Sequence, residues 1–425
     1  MQTEAEAFLQ RIRAYPEDDA QRLIFADWLD EQGDPRGQFI RVQLALAELP
    51  ADAPERAALV RTERDLLAVH RDEWEAPFRG LATGPVFRRG FVDEVKVEAR
   101  QFLRSAHELF TAAPVRHVTL LDVSDSLPAV LQCPYLSRLA ALTVHAQHTG
   151  EPLARAVARS EHLAGLRRLV LTRNRFGDAG AEQLARSPHL TNLEELDLSE
   201  NEIGETGARA LAASPGLAKL QRLELQGNPL GPAGAEALAG SERLAALYRL
   251  GLSGNDVGLP RLLTLGRAHD LLRVPVLDLS ANDLTVAGLQ AILTRPSGEP
   301  APVRVTDLDL SHNPGLGDAG AALLAACPHL TQLGVLRLAE CAIRDAGVRA
   351  LANAPHLIRA HELDLENNPI GDSGLRPFLD TRYWTALRKL TLPRIGVTLP
   401  MRQALDAKWN RPARRGPGSG SRSGA

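Results

Sequence analysis

Five asparagines, Asn174, Asn201, Asn228, Asn255 and Asn282, stand 27 residues apart along the chain. The strings around them repeat as well: "LRRLVLTRNRFGDAGAEQLA" from Leu166, "LEELDLSENEIGETGARALA" from Leu193 and "LQRLELQGNPLGPAGAEALA" from Leu220. Asn313 and Asn368 continue the series, with Cys341 in the slot between them. A fixed period of this length restricts the chain to one kind of solution, a stack of like units in which each covers the apolar face of its neighbour. Within a unit, period-2 leucines such as Leu196 and Leu198 predict a short strand with one apolar face. Ile203, Ala208 and Leu211 then recur at helical spacing after a turn glycine. Weaker copies begin at Val92, Val115 and Leu139, and "LRKLTLPRI" from Leu387 lacks the asparagine, as a terminal cap would.

The pattern L-x-x-L-x-L-x-x-N/C-x-L over residues 90–400 resembles the leucine-rich repeat, and its long period resembles the ribonuclease-inhibitor type. The resemblance implies an α/β fold: a right-handed β/α solenoid, or horseshoe, with a parallel sheet on its concave face and helices outside. It also implies that each asparagine turns inward to satisfy backbone groups after the strand, a structural role, and that Cys341 is an accepted alternative there. Cys327, and Cys133 in "LQCPYL", occupy the slot of Ser187 and Ser214 in a recurring helix-end motif with Pro188, Pro215, Pro328 and Pro355. His162 and His189 are one period apart, as are His329 and His356. These cysteines and histidines therefore read as repeat columns. No H-E-x-x-H, G-x-S-x-G or G-x-x-x-x-G-K is present, and Cys and His nowhere take zinc-ligand spacing. His117 and His145 fall at different levels of adjacent predicted strands.

Strand alternation directs the residues flanking the inner leucines out of the sheet. The central outward column is Asp197, Glu224, Gly251, Asp278, Asp309, Arg337 and Asp364. Beside it run Arg168, Glu195, Arg222, Arg249, Asp307 and Glu362 on one side and a largely serine column on the other. Neighbouring strands are spaced about 4.8 Å, so this mostly acidic stripe extends roughly 30 Å. Solenoids use such faces for binding, and the expected partner is a protein or peptide with a basic or mixed-charge face. The expected partner-binding residues are Asp197, Glu224, Asp278, Asp309, Arg337, Asp364, Glu195, Arg222 and Arg249. The array is irregular over 258–273 and at the insertion "RPSGEPAPVR" (295–304), and inserted loops often bind.

Net charge of −3 argues against broad nucleic-acid binding. No apolar run approaches a membrane span, "MQTEAEAFLQ" lacks the pattern of a signal peptide, and three cysteines make no disulfide framework. A cytoplasmic protein without cofactor is expected, with its oligomeric state open.

Ahead of the repeats, residues 1–80 read as four helices. In "LIFADWLDEQGDPRGQFIRVQ" (23–43), Ile24, Phe25, Trp28 and Leu29 share one helical arc, whereas Asp27, Asp30 and Glu31 share another. Gly33 suits a helix stop, Asp34 an N-cap and Pro35 a first turn. Through Phe25, Ala26, Asp27, Trp28, Leu29, Gly33, Asp34, Pro35, Phe39, Ile40, Arg41 and Gln43 this stretch is similar to the bacterial repeat-companion domain, over residues 4–48. The expected domains are thus 1–80, 90–400 and a disordered tail, 411–425. The leading expectation is a non-enzymatic interaction scaffold. The alternatives are regulation of a small GTPase, by analogy with Ran GTPase-activating proteins, and a metal-dependent enzyme using Asp27, Asp30, Glu31 and Asp34.

Overall fold

The computed structural model describes residues 4–50, 53–123, 125–146, 148–257, 268–294 and 303–409. Most of the irregular segment 258–273, nearly all of the insertion 295–304 and the whole tail 411–425 lie outside the described residues. Two compact units are present: residues 1–198 with 215–219, and residues 199–214 with 220–425.

The first unit opens with four helices, α1 (Glu4–Ala14), α2 (Asp19–Glu31), α3 (Arg36–Glu48) and α4 (Arg56–Glu75). Their ends follow the local chemistry. Asp18 accepts a hydrogen bond from Ala20 N at 3.0 Å to start α2, and Gly33 ends that helix with φ +72°. Asp34 accepts from Arg36 N at 2.8 Å to start α3. The buried arc of α2 is Arg22, Phe25, Ala26 and Leu29, so Trp28 is only half-buried and Ile24 faces solvent. The arc expected from the sequence is therefore displaced by a fraction of a turn, and an arginine takes a place within it.

Next come β1 (Thr83–Arg88) and β2 (Phe91–Glu98), an antiparallel hairpin in which Arg88 pairs with Phe91. Ile12, Phe25, Ala26, Leu29, Ile40, Leu44 and Phe91 form one core, which joins the helices to the hairpin. Gln43 is buried and clamps both backbones: its Nε2 donates to Phe87 O at 3.2 Å and its Oε1 accepts from Gly90 N at 2.7 Å. From β2 the pattern becomes parallel, through β3 (His117–Leu121), β4 (Ala141–Val144), β5 (Arg168–Val170) and β6 (Glu195–Asp197). The helices α5 (Ala99–Ala112), α6 (Leu127–Leu131), α7 (Glu151–Arg159) and α8 (Gly177–Ala185) return the chain between them.

The second unit begins at α9 (Glu205–Ala213). It continues as β7 (Arg222–Glu224), α10 (Gly231–Ala239), β8 (Arg249–Gly251), β9 (Val276–Asp278), α11 (Val286–Leu293), β10 (Asp307–Asp309) and α12 (Gly317–Ala326). After β11 (Val335–Arg337), α13 (Asp345–Ala352), β12 (Glu362–Asp364) and α14 (Asp372–Asp380), it closes with β13 (Lys389–Thr391) and α15 (Leu399–Trp409). Adjacent strands from β7 to β13 pair in parallel, rung against rung. Leu277, Leu279, Leu308, Leu310, Leu336 and Leu338 all point inward and are essentially inaccessible. Each such side chain contributes about 1.5–3 kcal/mol by burial. α15 buries Met401, Leu405 and Trp409, and Trp409 Nε1 donates to Phe378 O at 3.3 Å, which covers the last rung.

The asparagines bind the repeats to one another. Asn255 Nδ2 donates to Leu225 O at 2.9 Å, in the repeat before its own, and Asn282 and Asn313 repeat the arrangement. At position 341 the thiol donates to Leu310 O at 3.1 Å. A second column lies at the helix ends, where Ser160, Ser187 and Thr381 each donate to a carbonyl 29 residues back.

Candidate partner-binding face

The structure sets every residue of the expected stripe on a strand, facing away from the leucines. In the first unit Glu195 and Asp197 belong to β6, and Arg168 Nε lies 3.2 Å from Glu195. In the second unit the central column is continuous: Glu224 stands opposite Gly251, Gly251 opposite Asp278, Asp278 opposite Asp309, Asp309 opposite Arg337, and Arg337 opposite Asp364. Arg222 is exposed, whereas Glu224, Arg249, Asp278, Asp309, Arg337 and Asp364 are half-buried. Val276 and Val335 interrupt the neighbouring charged column.

Charge on this face is only partly matched. Arg249 Nε meets Glu224 at 2.5 Å, while Arg337 and Lys389 both reach Glu362, at 3.4 and 3.0 Å. Burial acts to lower the Arg249 pKa, but the hydrogen bond and charge of Glu224, with Asp278 and Asp307 beyond, raise it above the usual guanidinium value. Gly251 leaves room for this arrangement, since a Cβ there would lie 1.9 Å from Glu224 Oε2. Asp278 and Asp309 differ from these acids. They are in register on adjacent strands, and each carboxylate accepts from a serine two residues on, Ser280 N and Ser311 N, at 2.9 Å. Among the described residues neither forms an ion pair.

Burial, reinforced by Asp278, pushes the Asp309 carboxyl up, against the hydrogen bonds from Ser311 and the charge of Arg337. A raised folded-state pKa stabilises the fold below the unfolded value, and that contribution is lost as pH rises through the folded value. Asp309→Asn is therefore expected to be more stable than the natural chain at pH 7. The difference should close as the pH is lowered past the usual carboxylate range. Urea midpoints at several pH values test this; equal midpoints for both proteins throughout would refute the like-charge account.

The N-terminal acids do not converge. Asp27 and Asp30 both engage Arg41, the latter at 2.8 Å, Asp34 is occupied as a helix cap, and Glu31 is exposed. Trp28 Nε1 donates to Glu4 at 3.1 Å. Among the described residues no group of three or more His, Cys, Asp or Glu side chains is placed to hold a metal, and no helix is long and apolar enough to cross a membrane. A different cluster, not foreseen from the sequence, gathers in the first unit: Arg22, Arg88, Arg89, Asp93, Arg116 and His117 around one cavity. The adjacent arginines of "RRG" (88–90) and the place of Arg22 on the packed side of α2 were its only visible signs.

Residues 164–230 match one leucine-rich-repeat profile, and residues 305–325, 326–352 and 361–379 match a second. With the parallel rungs and inward leucines, these matches decide the architecture. This chain carries a leucine-rich-repeat solenoid. Among solved structures, the repeat fold is similar to a chain of the yeast Rad7–Elc1 complex, at 15% identity and a TM-score of 0.51, over 95% of this chain and 99% of that one. It also aligns with two Listeria monocytogenes internalins. Internalin inlF shares 16% identity with a TM-score of 0.38 over 65% and 67% of the two chains. Internalin C2 shares 21% with a TM-score of 0.33 over 62% and 83%. No curated protein matches the leucine-rich-repeat chain.

Proposed function

We propose that this leucine-rich-repeat protein is a non-enzymatic interaction scaffold. It holds a protein or peptide partner, one with a basic or mixed-charge face, on the concave side of its sheet. The observation that carries the reading is the pair Asp278 and Asp309, in register and without ion-pair partners among the described residues, on a face of the second unit where Glu224 and Glu362 are each matched by a cation. Unneutralised carboxylates held one rung apart are costly to the isolated protein and favourable to a cationic partner. Arg222, Glu224, Arg249, Arg337 and Asp364 complete that surface in the second unit, and Glu195 and Asp197 are the proposed contacts in the first. A partner assembly on this type of fold has a precedent in the Rad7–Elc1 complex. We assign the repeats to the ribonuclease-inhibitor type in a bacterial, cytoplasmic protein. Residues 1–80 form a repeat-companion module that caps the array of residues 90–400.

The test is affinity capture from the native lysate, read by mass spectrometry. The natural chain is run beside a folded variant with Asp197, Glu224, Asp278, Asp309 and Asp364 changed to Ser. A partner retained by the first and lost by the second is the expected result. The same partner on both would exclude the face.

A further inference from the structure

The cavity of the first unit has a volume of about 700 Å³, and its walls come from the loop before α2, α2 itself, α3, α4, the β1–β2 hairpin and the rungs of β3 to β6. Seven arginines line it against five acids, an excess of positive charge in a chain whose net charge is −3. The floor is Arg22, only 3% exposed, with its guanidinium carbon 6.0 Å from the centre of the Phe91 ring. Among the described residues its Nε and Nη1 have no hydrogen-bond partner, and the nearest carboxylate oxygen, on Asp19, is 3.7 Å from Nη1. Arg116 contributes a second such group: it reaches Glu17, yet its buried Nε has no partner among the described residues. A charged donor withdrawn from water and left unmatched is among the costlier features a fold can keep.

The hairpin adds to the excess. Its two-residue turn is Arg89–Gly90, and Arg89 has φ +52°, in the left-handed region where such turns favour Asn or Gly. Arg89 and Arg116 share Glu17, while Asp93 pairs with His117 at 3.2 Å and also faces Arg22, Arg88 and Arg116. Glu17 and Asp93 are thus each shared among several cations. Pro16, Leu46, Ala47 and Phe87 supply an apolar side.

We propose that this cavity binds a phosphate monoester, with its phosphoryl group held by Arg22, Arg88 and Arg116 and its organic body against Leu46, Ala47 and Phe87. Guanidinium forks match the tetrahedral oxygens of a phosphoryl dianion, and several of them outmatch what one carboxylate can satisfy. The volume is that of a site for a whole small molecule or side chain, well beyond inorganic phosphate alone. The ester is either a free small molecule or a phosphorylated side chain of a partner.

Calorimetric titration of the full chain separates these sources, using adenosine monophosphate and a phosphoserine peptide, with adenosine and the unphosphorylated peptide as controls. Saturable binding of at least one phosphorylated probe is expected, with neither control binding. Arg88→Gln, at a half-exposed position, and Arg116→Gln should each weaken it about tenfold or more. Binding of the nucleotide alone identifies a free ester, and binding of the peptide alone identifies a modified partner; either supports the site. No saturation by about 10 mM, or binding that both folded variants leave unchanged, overturns it. Asp278→Ser with Asp309→Ser should leave the titration unaltered, so this result stands apart from that for the concave face.

Discussion

Asn282→Ala is expected to destabilise the second unit by about 3–5 kcal/mol, since two backbone donors lose their acceptor at once. Asn282 Oδ1 accepts from Asn255 N at 2.8 Å and Val257 N at 3.2 Å, and its Nδ2 donates to Leu252 O at 2.7 Å and Ser280 O at 3.0 Å. All of these groups belong to turns in the interior, where water cannot replace the lost partner. The residues on either side, Ala281 and Asp283, hold φ near +51° and +50°. That conformation is unfavourable for residues with a Cβ and persists only where the surroundings fix it. Asn282→Cys is the informative companion, because the chain places a thiol at position 341 by itself. A thiol donates and accepts weakly, so this variant should lose about half as much. Urea denaturation followed by circular dichroism measures both. Equal losses for Ala and Cys would show that the volume of the side chain matters and its hydrogen bonds do not.

Gly90→Ala is expected to cost the first unit about 3 kcal/mol or more. Gly90 has φ +86°, and a Cβ there would lie 2.9 Å from the Ile40 Cα and 2.2 Å from its Cγ1. The obstacle includes backbone, so it cannot rotate away. Gly33 supplies the control. Its φ of +72° imposes a similar strain, but no atom lies within 4 Å of the position a Cβ would take. Gly33→Ala should therefore lose only about 1 kcal/mol. The difference between the two isolates the contact of the hairpin with α3. Tryptophan fluorescence from Trp28 and Trp74 reports on this unit during denaturation. If the two variants melt together, the approach of Gly90 to Ile40 contributes nothing beyond backbone strain.

The repeats were readable from the sequence because many copies state the same thing, so that Leu196, Leu223, Leu277 and Leu308 confirm one another as strand positions. Once the period is known, the outward columns follow without further assumption. β1 was not foreseen. "TGPVFR" has no copy elsewhere, includes a proline, and runs against the direction of β2 and the strands that follow it in the first unit. The cavity was hidden for a different reason. Asp93 and His117 meet only because Glu94 pairs with His117 in the register between β2 and β3. No spacing within one strand reveals a contact set by register between two. Arg22 was hidden by convention, since an arginine on a helix is assigned to water unless something shows that its face is packed.

The hairpin at the head of the array also bears on how copies of this protein avoid one another. A parallel rung with an open edge is a template: the matching edge of a second molecule could dock on it, and a third on that, giving a filament that no symmetry closes. β1 turns back along β2 and occupies that edge with a strand of opposite direction. Its own outer side is broken by Pro85 and by two shifts of register, between Thr83 and Val86 and between Val86 and Phe87. Proline supplies no N–H, and an irregular strand offers no continuous row to pair with. Growth from this end stops at the first strand.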